Sequence, residues 1–160
     1  MREPLAYHLT WTCYGQWLHG DPRGYVDKRH RNVGEPYPAG DPRLYNAAAN
    51  RMAGESVWLE DAQRSRATAA IREVCVHRAW PLITVNVQPD HVHVAVRAPG
   101  VTGKAAMERI KSWASMQLNL AFARRSRWWT VGGKVELVMS EAELRDVAEY
   151  IENQRFPRVE

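Results

Sequence analysis

Two histidines, His91 and His93, stand two residues apart in the segment Pro89-Asp90-His91-Val92-His93-Val94. On a β-strand, side chains at i and i+2 leave the same face, so the two imidazoles can reach one ion together. Neutral imidazole nitrogens bind divalent metals well, and two of them leave coordination positions open, which suits catalysis. Taken alone, the same pattern describes two half-exposed histidines in an ordinary strand. Tyr150 changes the balance. At about 100° per residue on a helix, Leu144, Ala148 and Ile151 centre an apolar stripe. Tyr150 then falls to one side, with Gln154 stacked one turn beyond it. A phenol, with a pKa ordinarily near 10, is a weak nucleophile. It becomes usable when a metal polarises a phosphodiester and fixes its geometry. Gln154 can offer that metal a third, neutral oxygen. Alone, Tyr150 would read as a residue at the rim of the core.

These side chains need elements to carry them. Residues 5–12 alternate, with Leu5, Tyr7, Leu9 and Trp11 on one face and Ala6, His8, Thr10 and Thr12 on the other. That is the period of a half-buried strand. Residues 80–88 alternate likewise, with Ile83, Val85 and Val87 opposite Thr84, Asn86 and Gln88. His91–Arg97 is a further strand, and Pro89-Asp90 marks the turn of the hairpin between them. Helices are expected from about Leu59 to Arg78 and from Thr102 to about Arg125. A fourth strand or hairpin spans Trp128–Val138 around Gly132-Gly133. The last helix occupies about 140–155, announced by the Ser140-x-x-Glu143 capping box. The order βαββαβ is the ferredoxin-like α+β pattern: an antiparallel sheet with helices on one face, here extended by a C-terminal tyrosine-bearing helix. His8, Thr10, Thr84, Asn86, His91 and His93 then share the face left open for a ligand. Residues 15–45, rich in Gly, Pro and charge, form a long loop after the first strand, of a kind that is usually functional or mobile.

The 160 residues suit one domain, and 45% hydrophobic content is enough for a core. Between Arg97 and Lys134 there are eight basic residues and one acid, Glu108. Such a block fits a polyanion-binding surface as well as it fits a solvated helix face. The two cysteines, Cys13 and Cys75, match no zinc or redox spacing. They read as reduced thiols of a cytoplasmic protein. No leader segment and no membrane span is legible.

The segments carrying this chemistry resemble a known family. Pro-Asp-His91-Val-His93-Val looks like the His-hydrophobic-His motif of the HUH single-strand DNA transposases, in their one-tyrosine branch. Thr10, Gly15, Trp17, Leu18, Gly20, Asp21, Arg23 and Gly24 follow the opening motif of a bacterial subgroup near the REP-associated tyrosine transposases. Glu149-Tyr150-Ile151-Glu152-Asn153-Gln154 resembles the helix with the catalytic tyrosine. Relatives read Tyr-Ile-x-x-Asn-Pro there, whereas this chain has Gln154 in the asparagine position and Arg155 in place of the proline. The resemblance implies cleavage of single-stranded DNA beside a hairpin, with Tyr150 taking up a 5′-phosphotyrosine link and leaving a free 3′-OH. It implies a metal on His91, His93 and Gln154, namely Mg²⁺ or Mn²⁺, and a homodimer whose active site is in some relatives shared between subunits. It gives Lys104, Arg109, Lys111, Arg124, Arg125 and Arg127 the role of phosphate contacts. Arg23, Lys28, Arg29 and Arg31 make the long loop a second candidate DNA contact, the alternative being a disordered, solvated loop. Trp128 and Trp129 could stack on unpaired bases or pack in the core; Trp113 reads as core.

Two other functions fit parts of the sequence. A hairpin-binding protein of DNA or RNA that does not cleave would also need the basic surface, but not His91, His93 and Tyr150 together. A small-molecule metalloenzyme would need the histidines and an enclosed apolar pocket.

Overall fold

In the computed structural model, which describes residues 2–16 and 56–160, four strands form one antiparallel sheet. They are β1 (Ala6–Thr12), β2 (Leu82–Val87), β3 (His91–Val96) and β4 (Lys134–Val138). Their spatial order is β2-β3-β1-β4. The helices are α1 (Asp61–His77), α2 (Gly103–Ala121) and α3 (Glu141–Glu152). This is the expected α+β arrangement. The loop expected over 15–45 lies, beyond Gln16, outside the described residues, as do Trp17, Asp21, Arg23, Lys28, Arg29 and Arg31.

Alternation decides the faces. Tyr7, Leu9 and Trp11 of β1, Val92, Val94 and Val96 of β3, and Val85 and Val87 of β2 are buried in one cluster. Ala67, Ala70, Ile71 and Val74 of α1 and Ala106, Ile110, Ala114 and Leu118 of α2 complete it. Each large aliphatic side chain taken wholly out of water contributes roughly 1.5–3 kcal/mol, so this layer is the main source of stability. Ile83 departs from the expected alternation. A bulge between Leu82 and Thr84 shifts the register, and Ile83 packs on the opposite side. The fourth strand is shorter than expected. Trp129 makes only an isolated bridge to Cys13, and Gly132 and Gly133, both at positive φ, bend the chain into β4. A Cβ at Gly133 would stand 2.6 Å from the Thr10 carbonyl oxygen.

The second face of the sheet is not open. α3 crosses it, burying Leu144 and Ile151 against Ala6, Ala95 and Val138, with Val147 partly buried beside them. Ser140 caps this helix by accepting the Glu143 N–H at 3.2 Å. The Glu143 carboxylate reaches back to the Met139 N–H, not to the Ser140 backbone, at 2.9 Å. Two fully buried side chains are a small apolar anchor, on the order of 3–6 kcal/mol before the entropy of ordering is charged. Polar contacts from β2 add to it.

Candidate active site

The sheet register builds the site. Thr10 of β1 lies opposite His93 of β3, and Asn86 of β2 lies opposite His93 on its other side. Lys134 of β4 lies opposite Thr10. Paired residues of antiparallel strands share a face, so Asn86, His93, Thr10 and Lys134 form one polar row across the sheet. His91, two residues before His93, stands beside it, with ring centroids 4.9 Å apart and planes nearly perpendicular.

Each histidine has its Nδ1 engaged. His91 Nδ1 lies 2.7 Å from Asp90 Oδ1. His93 Nδ1 lies 3.0 Å from His8 Nε2 and 3.1 Å from Thr10 Oγ1. Asp90 only accepts, so it draws the His91 proton to Nδ1 and leaves His91 Nε2 able to ligate, while His8 and Thr10, which can donate or accept, hold the His93 ring in place in either tautomer. Burial pushes the Asp90 carboxyl up, but the hydrogen bond and charge of His91 and the charge of Arg155 leave it below its ordinary value. Asp90 is therefore the anion beside His91. Burial drives His93 down to about 3, helped by the charges of His91 and His8, against a hydrogen bond donated to Gln154 and the charge of Asp90. Burial lowers His8 too, opposed by Glu136 and reinforced by Lys134. His93 is thus neutral at physiological pH, the form a metal requires.

α3 brings the phenol to this pair. The Tyr150 ring centroid lies 5.6 Å from that of His93 and 6.0 Å from that of His8, both edge to face. Tyr150 is itself 56% exposed. Gln154 Nε2 donates to the Tyr150 carbonyl at 2.8 Å, which leaves its Oε1 as the oxygen for a cation. Among the described residues, no three His, Cys, Asp or Glu side chains are placed to hold a metal. Two imidazoles and one amide oxygen nevertheless make a coherent donor set, with coordination positions left for phosphate oxygens. The hollow at Tyr150, of about 400 Å³, is lined by Asp146, Glu149, Tyr150, Asn153 and Gln154. It is open to solvent and lined by acidic, amide and phenol residues, unlike the enclosed apolar pocket that a small-molecule metalloenzyme would need.

The structure divides the basic segment. Lys111 is buried, and its ammonium donates to the Thr130 and Gly132 carbonyls at 2.9 and 2.6 Å. Burial lowers its pKa, with Glu108 opposing. It is an internal brace of the 130–132 turn rather than a phosphate contact. Trp128 and Trp129 are 1% and 7% exposed and cannot stack on bases. Their indole N–H groups donate to Asn119 Oδ1 and the Lys111 carbonyl. Trp129 packs edge-on against Trp11. Trp113 is partly buried against the core, as expected. Lys104 and Arg109 are exposed on α2, whose helix lies on the face of the sheet opposite the histidines. α2 stops at Ala121, short of the expected Arg125, because Asn119 folds back to bond the Arg125 N–H and carbonyl. Arg124, Arg125 and Arg127 therefore sit on a loop. That loop lies at the end of the sheet where His91 opens: Tyr14 N–H bonds the Trp128 carbonyl and Cys13 N–H bonds the Asp90 carbonyl. Arg127 stacks over Tyr14 at 5.8 Å. Asp90, read from sequence only as a turn residue, and Arg155 and Lys134 are the site neighbours that periodicity does not single out; for Asp90 the signal was its adjacency to His91.

The family model described as "Transposase IS200 like" matches residues 51–154. No curated protein matches the chain. Among solved structures, the REP-associated tyrosine transposase bound to a REP hairpin is similar at a TM-score of 0.51 and 13% identity. That match covers 94% of this chain and 68% of the other, and the likeness is one of fold. A Deinococcus radiodurans R1 crystal structure, described as that of a candidate transposase, gives a TM-score of 0.48 at 17% identity. Here the match covers 97% of this chain and 94% of that one.

Proposed function

This chain belongs to the IS200-like transposase family, and from that premise we propose that it is a metal-dependent single-stranded DNA nickase and strand transferase with Tyr150 as nucleophile. The observation that carries the reading is the Tyr150 ring held 5.6 Å from His93, with His91 beside it. In the reaction, the Tyr150 hydroxyl oxygen bonds to a backbone phosphorus and the bond from that phosphorus to the 3′-oxygen breaks. The phenol loses its proton and the departing 3′-oxygen gains one. A second 3′-OH then attacks the tyrosyl phosphodiester and restores the phenol, so no external energy source is needed.

His91 Nε2, His93 Nε2 and Gln154 Oε1 would hold Mg²⁺ or Mn²⁺, which supplies charge stabilisation at the phosphoryl oxygens. Asp90 keeps the His91 ring in the ligating tautomer, and His8 and Thr10 hold the His93 ring in place. The exposed Arg124 and Arg127, with Lys104 and Arg109 further off, meet DNA phosphates; Arg125, half-buried over Trp128, sits behind them. The substrate is single-stranded DNA flanked by a hairpin, a reading supported by the structure of similar fold that is bound to a REP hairpin. The working form is a homodimer, though Tyr150 meets the histidines of its own chain and this reading requires no partner's tyrosine. No helix among the described residues is long and apolar enough to cross a membrane.

Labelled single-stranded DNA carrying a hairpin, incubated with Mn²⁺ or Mg²⁺, should give a covalent adduct that survives denaturing electrophoresis and maps to Tyr150 among the six tyrosines. Tight hairpin binding with no adduct under either metal would instead favour a non-cleaving DNA-binding protein.

A further inference from the structure

Beyond α3, residues 154–160 do not trail away from the body. Gln88, 0% exposed, accepts the Phe156 N–H at 2.8 Å through Oε1 and donates from Nε2 to the Phe156 carbonyl at 3.0 Å. A side-chain amide thus pairs with both backbone groups of one residue, as a neighbouring strand would. Asn86, likewise buried, donates Nδ2 to the Ile151 carbonyl at 2.8 Å and accepts from Gln88 Nε2 at 2.7 Å. Arg64 of α1, 4% exposed, donates Nη2 to the Pro157 carbonyl at 2.6 Å and Nε to the Val87 carbonyl at 2.8 Å. The Phe156 ring lies edge-on to Trp58 at 5.9 Å and under the Arg155 guanidinium at 4.6 Å. Arg155 in turn lies 3.8 Å from Asp90, the partner of His91.

Packing alone does not call for these groups. Apolar side chains at positions 86 and 88 would cover an apolar helix equally well. The observed amides gain only if the segment from Ile151 to Phe156 is in place, because buried polar groups without partners cost far more than an exposed hydrogen bond yields. α3 itself buries only Leu144 and Ile151, and Tyr150 is mostly exposed. We infer that Gln88 and Arg64 are positioning residues: they clasp the backbone of residues 156–157 and thereby hold Tyr150 over the histidines of its own chain. The inference rests on the reading of Tyr150 as nucleophile, but the contacts it invokes involve neither metal nor DNA. Gln88 and Arg64 touch no reacting atom; they act through the chain that follows the tyrosine helix.

The test uses the full chain, without DNA or metal for hydrogen exchange and with both for nicking. Amide hydrogen exchange is followed by mass spectrometry over residues 141–152 and 103–121 in the parent and in Gln88→Leu, which keeps the volume and removes the amide. Arg64→Met, which keeps the apolar stem, serves if Gln88→Leu does not fold. The clasp predicts exchange over 141–152 at least tenfold faster, with 103–121 unchanged. It also predicts single-turnover nicking slowed tenfold or more with the apparent Kd for DNA unchanged. Unaltered exchange over 141–152, or equal acceleration over 103–121, would overturn the clasp. Faster exchange with parental nicking would overturn its positioning role. If the parent itself never nicks, the cleavage reading falls while the exchange result still decides whether the clasp exists.

Discussion

Tyr150 and His93 meet edge to face at 5.6 Å, within one chain, although one closes a helix and the other sits mid-strand. The contact places a mostly exposed phenol beside an imidazole that burial keeps neutral. From it follows the sharpest expectation. Tyr150→Phe should abolish adduct formation, with nicking reduced by at least about three orders of magnitude, the usual cost of deleting a nucleophile. Because the side chain is mostly exposed, stability should move by no more than about 0.5 kcal/mol. Parental nicking by this variant would remove the assignment.

His91 depends on Asp90 for its orientation. Asp90→Asn keeps the shape but loses the anion at 2.7 Å from Nδ1. The apparent Mn²⁺ affinity, read from a metal titration of nicking, should fall about 10- to 100-fold, and excess metal should recover activity. His91→Ala should not be recovered by metal at any concentration tested. An Asp90→Asn variant with the parental metal curve would mean that Asp90 serves only the turn.

The burial of His93 carries a pH signature. In the unfolded chain it takes up a proton near the ordinary histidine value of about 6.5; in the folded chain it refuses one until about pH 3. Between these limits the unfolded state binds more protons, so stability is fully present above the upper limit and declines as pH falls through the window. The slope attributable to this one group approaches about 1.4 kcal/mol per pH unit, and the lowering of His8 acts in the same direction. Urea unfolding midpoints of the metal-free protein should fall from pH 6.5 toward pH 4, with a flatter dependence in His93→Asn. Equal slopes in the two proteins would contradict the assignment.

The basic segment should separate into two classes. Arg127→Ala and Arg124→Ala should each lessen the slope of log affinity for single-stranded DNA against log salt by about 0.7 without altering Tm. Lys111→Met should instead destabilise by about 1–3 kcal/mol, since two turn carbonyls lose their donor. Trp128→Ala should cost about 3–5 kcal/mol through the cavity it leaves. Thermal unfolding beside fluorescence-anisotropy titrations reads both effects, and a Trp128→Ala protein of parental stability would return that residue to the DNA-facing set.

Several of these distinctions were invisible in the sequence because periodicity reports faces, not neighbours. Alternation placed His8, Thr10, Asn86 and His93 on one face, and the register confirms it. It failed at Ile83, where a bulge resets the phase. It could not tell that Arg124 and Arg125 are loop residues, since the helix pattern ran on to about Arg125, whereas the helix ends at Ala121 with Asn119 bonded to the Arg125 backbone. Nor could a run of basic letters reveal that Lys111 is spent on two carbonyls. Charge in sequence says nothing of burial until a backbone supplies acceptors.

The sequence by itself determined the chemistry available: two imidazoles on one strand face, a phenol and an amide on one helix edge, and the βαββαβ order that sets the sheet. Those follow from local geometry, the period of 2 and the turn of about 100° per residue. The tertiary structure alone decided where that helix lies. Its docking on the histidine face depends on Asn86, Gln88 and Arg64 finding backbone partners far along the chain. No local rule specifies such pairings. They form because buried amides and guanidinium groups must be satisfied once the sheet and its helices have packed.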